Sequence, residues 1–211
     1  MADRILGIDE SGTGAWAGPF YVAGVLVEDE EDFAKKCEGL LRDSKKLSDG
    51  KRRAALVLIE KHALGVFRFV GTVDAIRTIG MRETWREGIS ATLRHFWKEL
   101  PDVFIDGPCD RKVVVPSNLS VTWEKKADDK YPSVMAASIV AKTYRNNDMI
   151  ALAKDFPHYE WEVNAGYGGS KVHREAIKKY GLTPHHRPIQ TFEKKGIEEA
   201  EEIDILDLLG G

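Results

Sequence analysis

The amino-acid sequence predicts an α/β domain with a central mixed β-sheet flanked by helices. Residues 5–9 and Phe20–Val27 are mostly apolar and have the length of buried strands, and the glycine-rich turn between them predicts a hairpin. Further along the chain, short strand candidates alternate with longer segments that have helical apolar spacing. An initial hairpin followed by such alternation is typical of an α/β domain with a mixed sheet.

The remaining elements follow from local patterns. The predicted helices are residues 32–41, 51–62, 82–100, 133–152 and 171–180, and the predicted strands are residues 66–73, 103–106 and 119–123. Pro132 is well placed at the start of the longest helix, and Gly181 ends the last one.

Composition is that of an ordinary globular protein. Of the 211 residues, 43% are hydrophobic and 31% are charged, which is not the composition of a disordered or fibrous chain. The start of the chain has no signal-peptide pattern, and the longest apolar stretch, residues 15–27, is too short to span a bilayer. Two cysteines, Cys37 and Cys109, without a zinc-like cluster indicate a reducing compartment. We therefore expect a cytoplasmic protein without a membrane anchor.

Charge divides the chain into a body and a tail. The last 19 residues contain seven acids and two lysines, so the net charge of −3 conceals a mildly basic body. We predict one catalytic domain over residues 1–192 and an acidic C-terminal tail over residues 193–211, with a monomeric protein. Apolar residues in the tail fit a C-terminal helical segment that packs on the domain or binds a protein partner weakly. A disordered tail is the other interpretation. Basic clusters in the body fit a phosphate-binding face, although solvated helix surface is the simpler interpretation of any one cluster.

Acids stand at the ends of two predicted strands. Asp9 and Glu10 follow one apolar run, and Asp106 follows another. Because adjacent residues on a strand point to opposite faces, Asp9 and Glu10 share a site only if the chain turns there, and the glycines that follow allow a turn. Carboxylates buried together repel unless cations neutralise them, and Mg²⁺ or Mn²⁺ prefers such oxygen ligands. Turn-forming acids at strand ends are an equally simple alternative.

Six motifs in order along the chain resemble the type 2 ribonucleases H, and in particular the ribonuclease HII family. They are residues 7–14 with Ala17-Gly18-Pro19, residues 43–48, residues 105–107, residues 130–133 with 136–142, Gly166-Tyr167-Gly168, and residues 173–187. The resemblance implies an RNase H-like fold and cleavage of the RNA strand of RNA/DNA hybrids, or of ribonucleotides embedded in duplex DNA, in replication and repair. It also implies two divalent ions, Mg²⁺ or Mn²⁺, and products with 3′-hydroxyl and 5′-phosphate ends.

The resemblance also assigns the catalytic residues. Asp9, Glu10 and Asp106 match the family's metal-binding carboxylates. We expect the fourth carboxylate in the triplet Tyr144-Arg145-Asn146, where this chain has Asn146 in place of an acid. Asn146 would complete the catalytic set with an uncharged oxygen, which holds a metal more weakly and impairs turnover. Natural divergence and a deliberate exchange that traps a substrate complex both fit this change.

Contacts with the substrate are implied in the same way. Gly12-Thr13-Gly14 stands where most ribonucleases HII have Gly-Arg-Gly, whose backbone grips nucleic acid beside the cleavage site. Thr13 is similar to the ribonuclease HIII group and predicts a weaker restriction to single ribonucleotides. Tyr167 resembles the tyrosine that stacks on a deoxyribose and senses the 2′-hydroxyl at a junction. The candidate phosphate contacts are Lys46, Arg145, Ser170 and Lys171.

Three functions are compatible with these residues. The leading hypothesis is a hydrolase that cleaves hybrids. Because of Asn146, a hybrid-binding protein with little turnover is the alternative, and a structure-specific DNase on the same fold is the third. The motif at residues 43–48 and the Tyr167 loop favour the first hypothesis over the third.

Overall fold

The computed structural model describes residues 4–41, 44, 47–99 and 101–188. Within these residues the strands are β1 (Ile5–Ser11), β2 (Phe20–Val27), β3 (Gly65–Gly71), β4 (Asp102–Asp106) and β5 (Ser120–Glu124). The helices are α1 (Glu30–Lys36), α2 (Asp49–His62), α3 (Val73–Ile79), α4 (Met81–Phe96), α5 (Pro132–Asp155), α6 (Trp161–Asn164) and α7 (Lys171–Tyr180).

The five strands form one sheet in the order β3-β2-β1-β4-β5. β1 and β2 form the predicted antiparallel hairpin, and β3 pairs antiparallel with β2. β4 pairs with β1 and β5 with β4, both in parallel. The predicted mixed sheet flanked by helices is therefore confirmed, while the predicted C-terminal helical segment lies outside the described residues.

Most element boundaries match the sequence patterns, with three informative differences. The helix predicted over residues 32–41 ends at Lys36, because Glu38 and Gly39 adopt left-handed backbone angles with φ of 53° and 71°. The strand predicted over residues 66–73 ends at Gly71. Thr72 then caps α3, a short helix that the apolar pattern did not reveal, by accepting a hydrogen bond from the Ala75 amide at 3.1 Å.

The described residues form two compact units. The first contains the described residues up to Thr13 together with Pro19–Asn147, and the second contains Gly14–Gly18 together with the described residues from Asp148 onward. The predicted single catalytic domain over residues 1–192 stays a prediction. None of the helices in the described part of the chain is long and apolar enough to cross a membrane.

The first unit has a hydrophobic core on each face of the sheet. Every residue of β2 is buried, and its side chains alternate between the two cores. Tyr21, Ala23 and Val25 join residues of α2 and α5, whereas Phe20 and Val22 join residues of α4. A strand buried on both faces explains why β2 is a continuous apolar run in the sequence.

The second unit has its own core. Trp16, Met149, Tyr159, Trp161 and Ile177 are buried together there. The segment before β2 takes part, since Ala15 bridges to Tyr167 and Ala17 bridges to His186. The bridge from Ala15 holds the Gly166-Tyr167-Gly168 loop against residues that stand about 150 positions earlier in the chain.

Backbone lies directly against backbone between β1 and the start of α5. A Cβ atom added to Gly7 would lie 2.2 Å from the carbonyl carbon of Ser133 and 2.3 Å from the amide nitrogen of Val134. Only a residue without a side chain therefore fits between the strand and the backbone of the helix.

We predict that Gly7→Ala destabilises the protein by at least about 2 kcal/mol, because the methyl group would force α5 away from β1. The melting temperature should fall by about 4–8 °C, measured by circular dichroism. Gly50→Ala is the matched control, since among the described residues nothing lies within 4 Å of a Cβ added there. Equal melting temperatures for the two variants would contradict this account.

Candidate metal centre

Two neighbouring strands bring Asp9 and Asp106 together. β1 and β4 run parallel with Ile8 opposite Ile105, so the next residue of each strand emerges at the same edge of the sheet. Asp9 is buried, with 5% of its surface exposed, and Asp106 is half-buried. The structure thus brings together two of the predicted acids at the carboxyl ends of their strands.

A third acid, Asp128, completes the group. One carboxylate oxygen from each of Asp9, Asp106 and Asp128 lies within 4.8 Å of the other two, so the three acids could hold a metal ion together. Sequence analysis missed Asp128. It lies in a single 3₁₀ turn, Ala127–Asp129, which has no apolar periodicity, and the lysines around it suggested a basic surface. Its position just before the motif at residues 130–133 was the one available signal.

The turn that carries Asp128 is attached directly to Asp106. The Ala127 amide donates a hydrogen bond to Oδ1 of Asp106 at 2.9 Å, and Ala127 itself is fully buried. Lys126, just before the turn, has a left-handed backbone with φ of 62°. A non-glycine residue keeps such an angle only where the surrounding contacts fix it. The third acid is therefore placed by tertiary contacts with β4.

Burial and neighbouring charge disfavour the ionised form of Asp9. Burial raises the pKa of the Asp9 carboxyl well above its usual range, and the charges of Glu10 and, less strongly, Asp106 raise this pKa further. Hydrogen bonds from the Ser138 hydroxyl and from the Glu10 amide, the latter at 2.7 Å, oppose the rise. A bound cation would relieve the same repulsion.

The turn expected at Asp9 and Glu10 is absent from the described backbone, and that expectation was wrong. β1 stays regular through Ser11, with Asp9 opposite Ala23 and Glu10 opposite Val22 on β2. The two side chains therefore leave opposite faces of the strand. The Glu10 carboxyl is half-buried and close enough to raise the pKa of Asp9. Its role as a metal ligand stays a prediction.

Asn146 lies further along α5 than Ser138, which lies near Asp9. Ser138 on α5 is near enough to lower the pKa of Asp9, and Asn146 follows Ser138 by eight residues, which is about 12 Å along the helix axis. Asp128, which comes from a different segment, lies with Asp9 and Asp106 without any contribution from Asn146. A catalytic role for Asn146 stays a prediction.

Arg145 is buried within the first unit, which corrects its assignment as a phosphate contact. It has 0% exposure, and its Nε donates to the carbonyl oxygen of Pro19 at 3.0 Å. Its side chain also packs against Gly12, where φ is 96° and an added Cβ would lie 2.0 Å from Nε of Arg145. Arg145 therefore supports the backbone of the loop that begins at Gly12. Thr13 follows half-buried, and Gly14 begins the second unit.

The other predicted substrate contacts lie in the second unit, except Lys46, which lies outside the described residues. Tyr167 is 39% exposed between Gly166 and Gly168. Gly168 packs on Trp16 so closely that an added Cβ would lie 1.9 Å from the indole ring. Ser170 caps α7 by accepting a hydrogen bond from the His173 amide at 3.4 Å, and Lys171 is exposed, 3.5 Å from Glu175.

Two buried histidines support the Tyr167 loop from within the second unit. Nδ1 of His186 accepts a hydrogen bond from the Thr183 amide at 2.8 Å, so a neutral His186 carries its proton on Nε2. That atom lies 3.2 Å from Nε2 of His173, which also accepts from the Trp161 indole at 3.1 Å. His173 therefore carries its proton on Nδ1, 3.4 Å from the Tyr167 carbonyl.

Comparison with known proteins identifies the family. The family model described as Ribonuclease HII matches residues 6–194. The chain belongs to the ribonuclease HII family. The ribonuclease HII of Phocaeicola vulgatus is 36% identical over 197 residues, which cover 93% of this chain and 92% of the relative. That of Porphyromonas gingivalis is 36% identical over 199 residues, which cover 94% and 92%.

Solved structures agree with this membership. RNase HII in the PCNA:RNase HII complex from Archaeoglobus fulgidus has a TM-score of 0.75 and 27% identity, covering 93% of this chain and 98% of that one. Bst-RNase HIII, solved in complex with Mn²⁺, shares the fold with a TM-score of 0.66, 21% identity and coverage of 85% and 63%. This ribonuclease HII is thus a metal-dependent ribonuclease H, an endonuclease that cleaves RNA in RNA/DNA hybrids.

The buried histidine pair predicts a specific dependence of stability on pH. Burial lowers the pKa of His173 to about 4, despite its bond to the Tyr167 carbonyl, whereas an unfolded histidine has a pKa near 6.5. The unfolded chain therefore binds more protons between these values, and the free energy of unfolding should fall by up to about 3 kcal/mol as the pH drops from 6.5 to 4. His173→Gln should make the free energy of unfolding, measured by urea titration, depend less on pH in this range. His158→Gln removes an exposed histidine from the same unit as a control, and an equal effect of both substitutions would contradict the prediction.

Proposed function

We propose that Asp9, Glu10, Asp106 and Asp128 form the catalytic centre of this ribonuclease HII and hold two divalent ions, Mg²⁺ or Mn²⁺. The observation that carries the proposal is the convergence of Asp9, Asp106 and Asp128, with ligand oxygens within 4.8 Å of one another at the carboxyl ends of β1 and β4. Cleavage of the RNA strand would leave 3′-hydroxyl and 5′-phosphate ends. Both the hybrid and a duplex with embedded ribonucleotides are substrates under this proposal.

The donor set fits hard divalent cations. The three converging groups supply oxygen only, which Mg²⁺ and Mn²⁺ prefer. The raised pKa of Asp9 results from burial and from repulsion by Glu10 and Asp106, and positive charge at this point would favour the ionised form. When bound, divalent ions supply the Lewis acidity that activates a water and stabilises charge on the phosphate and leaving oxygen.

The protein positions the carboxylates and excludes water from Asp9. The Ala127 amide donates to Asp106, and the Glu10 amide donates to Asp9. Because these donors are fixed by β1 and the Ala127–Asp129 turn, the carboxylates need little reorganisation as they bind metal. Burial of Asp9 keeps competing water away from its oxygens.

Substrate contacts are proposed within each unit separately. In the first unit, Gly12 and Thr13 would offer backbone to the nucleic acid. In the second unit, Gly14 would do the same, the exposed ring of Tyr167 would stack on the sugar at an RNA-to-DNA junction, and Ser170 and Lys171 would contact phosphate. Lys46 is a further proposed phosphate contact. Thr13, in place of arginine, is proposed to relax the restriction to single ribonucleotides.

A protein partner and a cellular location are also proposed. The Archaeoglobus fulgidus relative was solved in a complex with PCNA, which supports a protein partner for this chain, and the acidic residues 193–211 are the proposed contact. A monomeric state, a cytoplasmic location and a role in replication and repair stay predictions.

A hybrid-binding protein with little turnover is the alternative function, because of Asn146. The position of Asp128 favours an active enzyme, since three acids converge without any contribution from Asn146. A structure-specific DNase remains a third hypothesis, which an all-DNA duplex tests directly.

We predict that Asp128→Asn lowers the rate of Mn²⁺-supported cleavage of an RNA/DNA hybrid at least about 100-fold, since it removes a charged ligand from the centre. Asn146→Asp should change the rate less than about threefold, a change worth under about 1 kcal/mol of activation free energy. Asp129→Asn is the matched control, because Asp129 is an exposed acid of the same turn.

The opposite result would support the interpretation that Asn146 impairs turnover. If Asn146→Asp raised the cleavage rate strongly and Asp128→Asn had no effect, Asn146 would be the residue that impairs turnover, and Asp128 would not be a metal ligand. If no variant cleaved any hybrid with either metal, the chain would act as the hybrid-binding alternative.

We predict that Tyr167→Ala lowers cleavage of a duplex with one embedded ribonucleotide about tenfold, because an aromatic stacking contact is worth about 1–3 kcal/mol. Cleavage of a long hybrid should fall less, since the enzyme can bind such a hybrid at many positions along its length. Tyr180→Ala is the control, as Tyr180 is an exposed tyrosine of the same unit. Equal losses on both substrates would rule out junction sensing by Tyr167. A strong preference of the unmodified protein for the duplex with one ribonucleotide over the long hybrid would rule out the proposed effect of Thr13.

A further inference from the structure

Two consecutive glycines follow Tyr167, so the end of its loop needs support from outside the loop. Gly168 is buried against Trp16, whereas Gly169 is exposed, and nothing described lies within 4 Å of a Cβ added there. Glycine adopts more backbone conformations than any other residue. The direction of the peptide that joins the two glycines therefore depends on its hydrogen bonds.

Arg174, near the start of α7, holds this peptide. Its Nη1 donates a hydrogen bond to the carbonyl oxygen of Gly168 at 2.7 Å. A hydrogen bond from a guanidinium is stronger than one between neutral groups, and Arg174 is half-buried, so water competes less for this bond. The side chain thus ties the end of the Tyr167 loop to the helix that follows it.

Neutral groups hold Tyr167 itself. Its amide donates to the carbonyl oxygen of Asn164 at 3.1 Å, and its carbonyl oxygen accepts from the Ser170 amide at 3.2 Å. Nδ1 of His173 lies 3.4 Å from the same carbonyl oxygen. Arg174 is the charged member of this set, and it fixes the next peptide along the chain. Because the allowed side-chain rotamers depend on the backbone angles, these bonds together limit where the Tyr167 ring can lie.

A solvated helix residue is the simpler interpretation of Arg174 from the sequence, since it stands in a basic cluster with Lys171, Lys178 and Lys179. The structure separates them. The three lysines are exposed, whereas Arg174 is half-buried and its guanidinium turns back to the loop. Solubility alone does not require a cation to be placed against a carbonyl oxygen.

We propose that Arg174 is a positioning residue for Tyr167 and thereby a determinant of cleavage at RNA-to-DNA junctions. The inference rests on the proposed function, in which the Tyr167 ring stacks on the sugar at such a junction. Arg174 acts on the ring through the Gly168 carbonyl and does not itself contact the substrate. Because a small displacement of a positioned group can lower a rate strongly, loss of this bond matters most for the substrate that depends on Tyr167.

The test compares two cleavage rates of the full chain, one on a duplex with a single embedded ribonucleotide and one on a long RNA/DNA hybrid. Arg174→Met keeps the apolar part of the side chain but cannot donate a hydrogen bond. It should lower cleavage of the single-ribonucleotide duplex about fivefold and cleavage of the hybrid less than about twofold. Lys178→Met is the matched control, since it removes an exposed cation of α7 and should leave the ratio of the two rates unchanged.

Two further measurements show whether Arg174 acts through the loop. In a Tyr167→Ala background, Arg174→Met should change neither rate more than about 1.5-fold, because the ring through which it acts is absent. The Ser170 amide, which donates to the Tyr167 carbonyl oxygen, should exchange its hydrogen faster in Arg174→Met than in Lys178→Met, measured by NMR. Equal exchange in the two variants would overturn the inference.

The outcomes separate this inference from the proposed function. If Tyr167→Ala leaves cleavage of the single-ribonucleotide duplex unchanged, the proposed role of Tyr167 fails and the inference with it. If Tyr167→Ala lowers this rate while folded Arg174→Met does not, the inference alone is overturned. Equal losses on both substrates that persist without the Tyr167 ring would indicate direct contact of Arg174 with phosphate and would also overturn it. If Arg174→Met does not fold, Arg174→Gln, which has a shorter and uncharged side chain, decides the question by the same comparison.

Discussion

The contact of backbone against backbone between β1 and α5 is the constraint on which the first unit depends. Because Gly7 has no side chain, the start of α5 lies directly on the central strand. Further along the helix, Ser138 is near enough to lower the pKa of Asp9, and Arg145 packs on Gly12. Three successive contacts thus fix the register of the longest helix against β1. A shift of α5 would change the surroundings of Asp9 and the support of the Gly12 loop together.

The candidate metal centre brings negative charges together at a place where burial disfavours the ionised form of Asp9. Burial, Glu10 and Asp106 all raise the pKa of Asp9, and only hydrogen bonds lower it. Asp106 is held by the turn that carries Asp128. This arrangement costs free energy without a cation, and that cost is a physical reason for metal dependence in a member of the ribonuclease HII family.

The second unit supports a loop that carries an exposed aromatic ring, that of Tyr167. Glycine at 168 lets the backbone lie against Trp16, and His173 reaches the Tyr167 carbonyl from the core. The tautomers of the two histidines are set by the Thr183 amide and the Trp161 indole, which can only donate. The loop is therefore fixed through its backbone, while Tyr167 stays 39% exposed.

Sequence patterns were sufficient for the mixed sheet, the hairpin, the long helix and α7, because apolar periodicity and capping residues are local properties. Motif order also identified the family, and strand ends indicated Asp9 and Asp106. The tertiary structure alone decided which further groups join them. Asp128 lies on a turn without periodicity, Arg145 looks like an exposed helix residue until its burial is known, and Ser44 and Ser138 meet across 94 positions of sequence. Such contacts depend on how β1, α2 and α5 pack, which no local pattern contains.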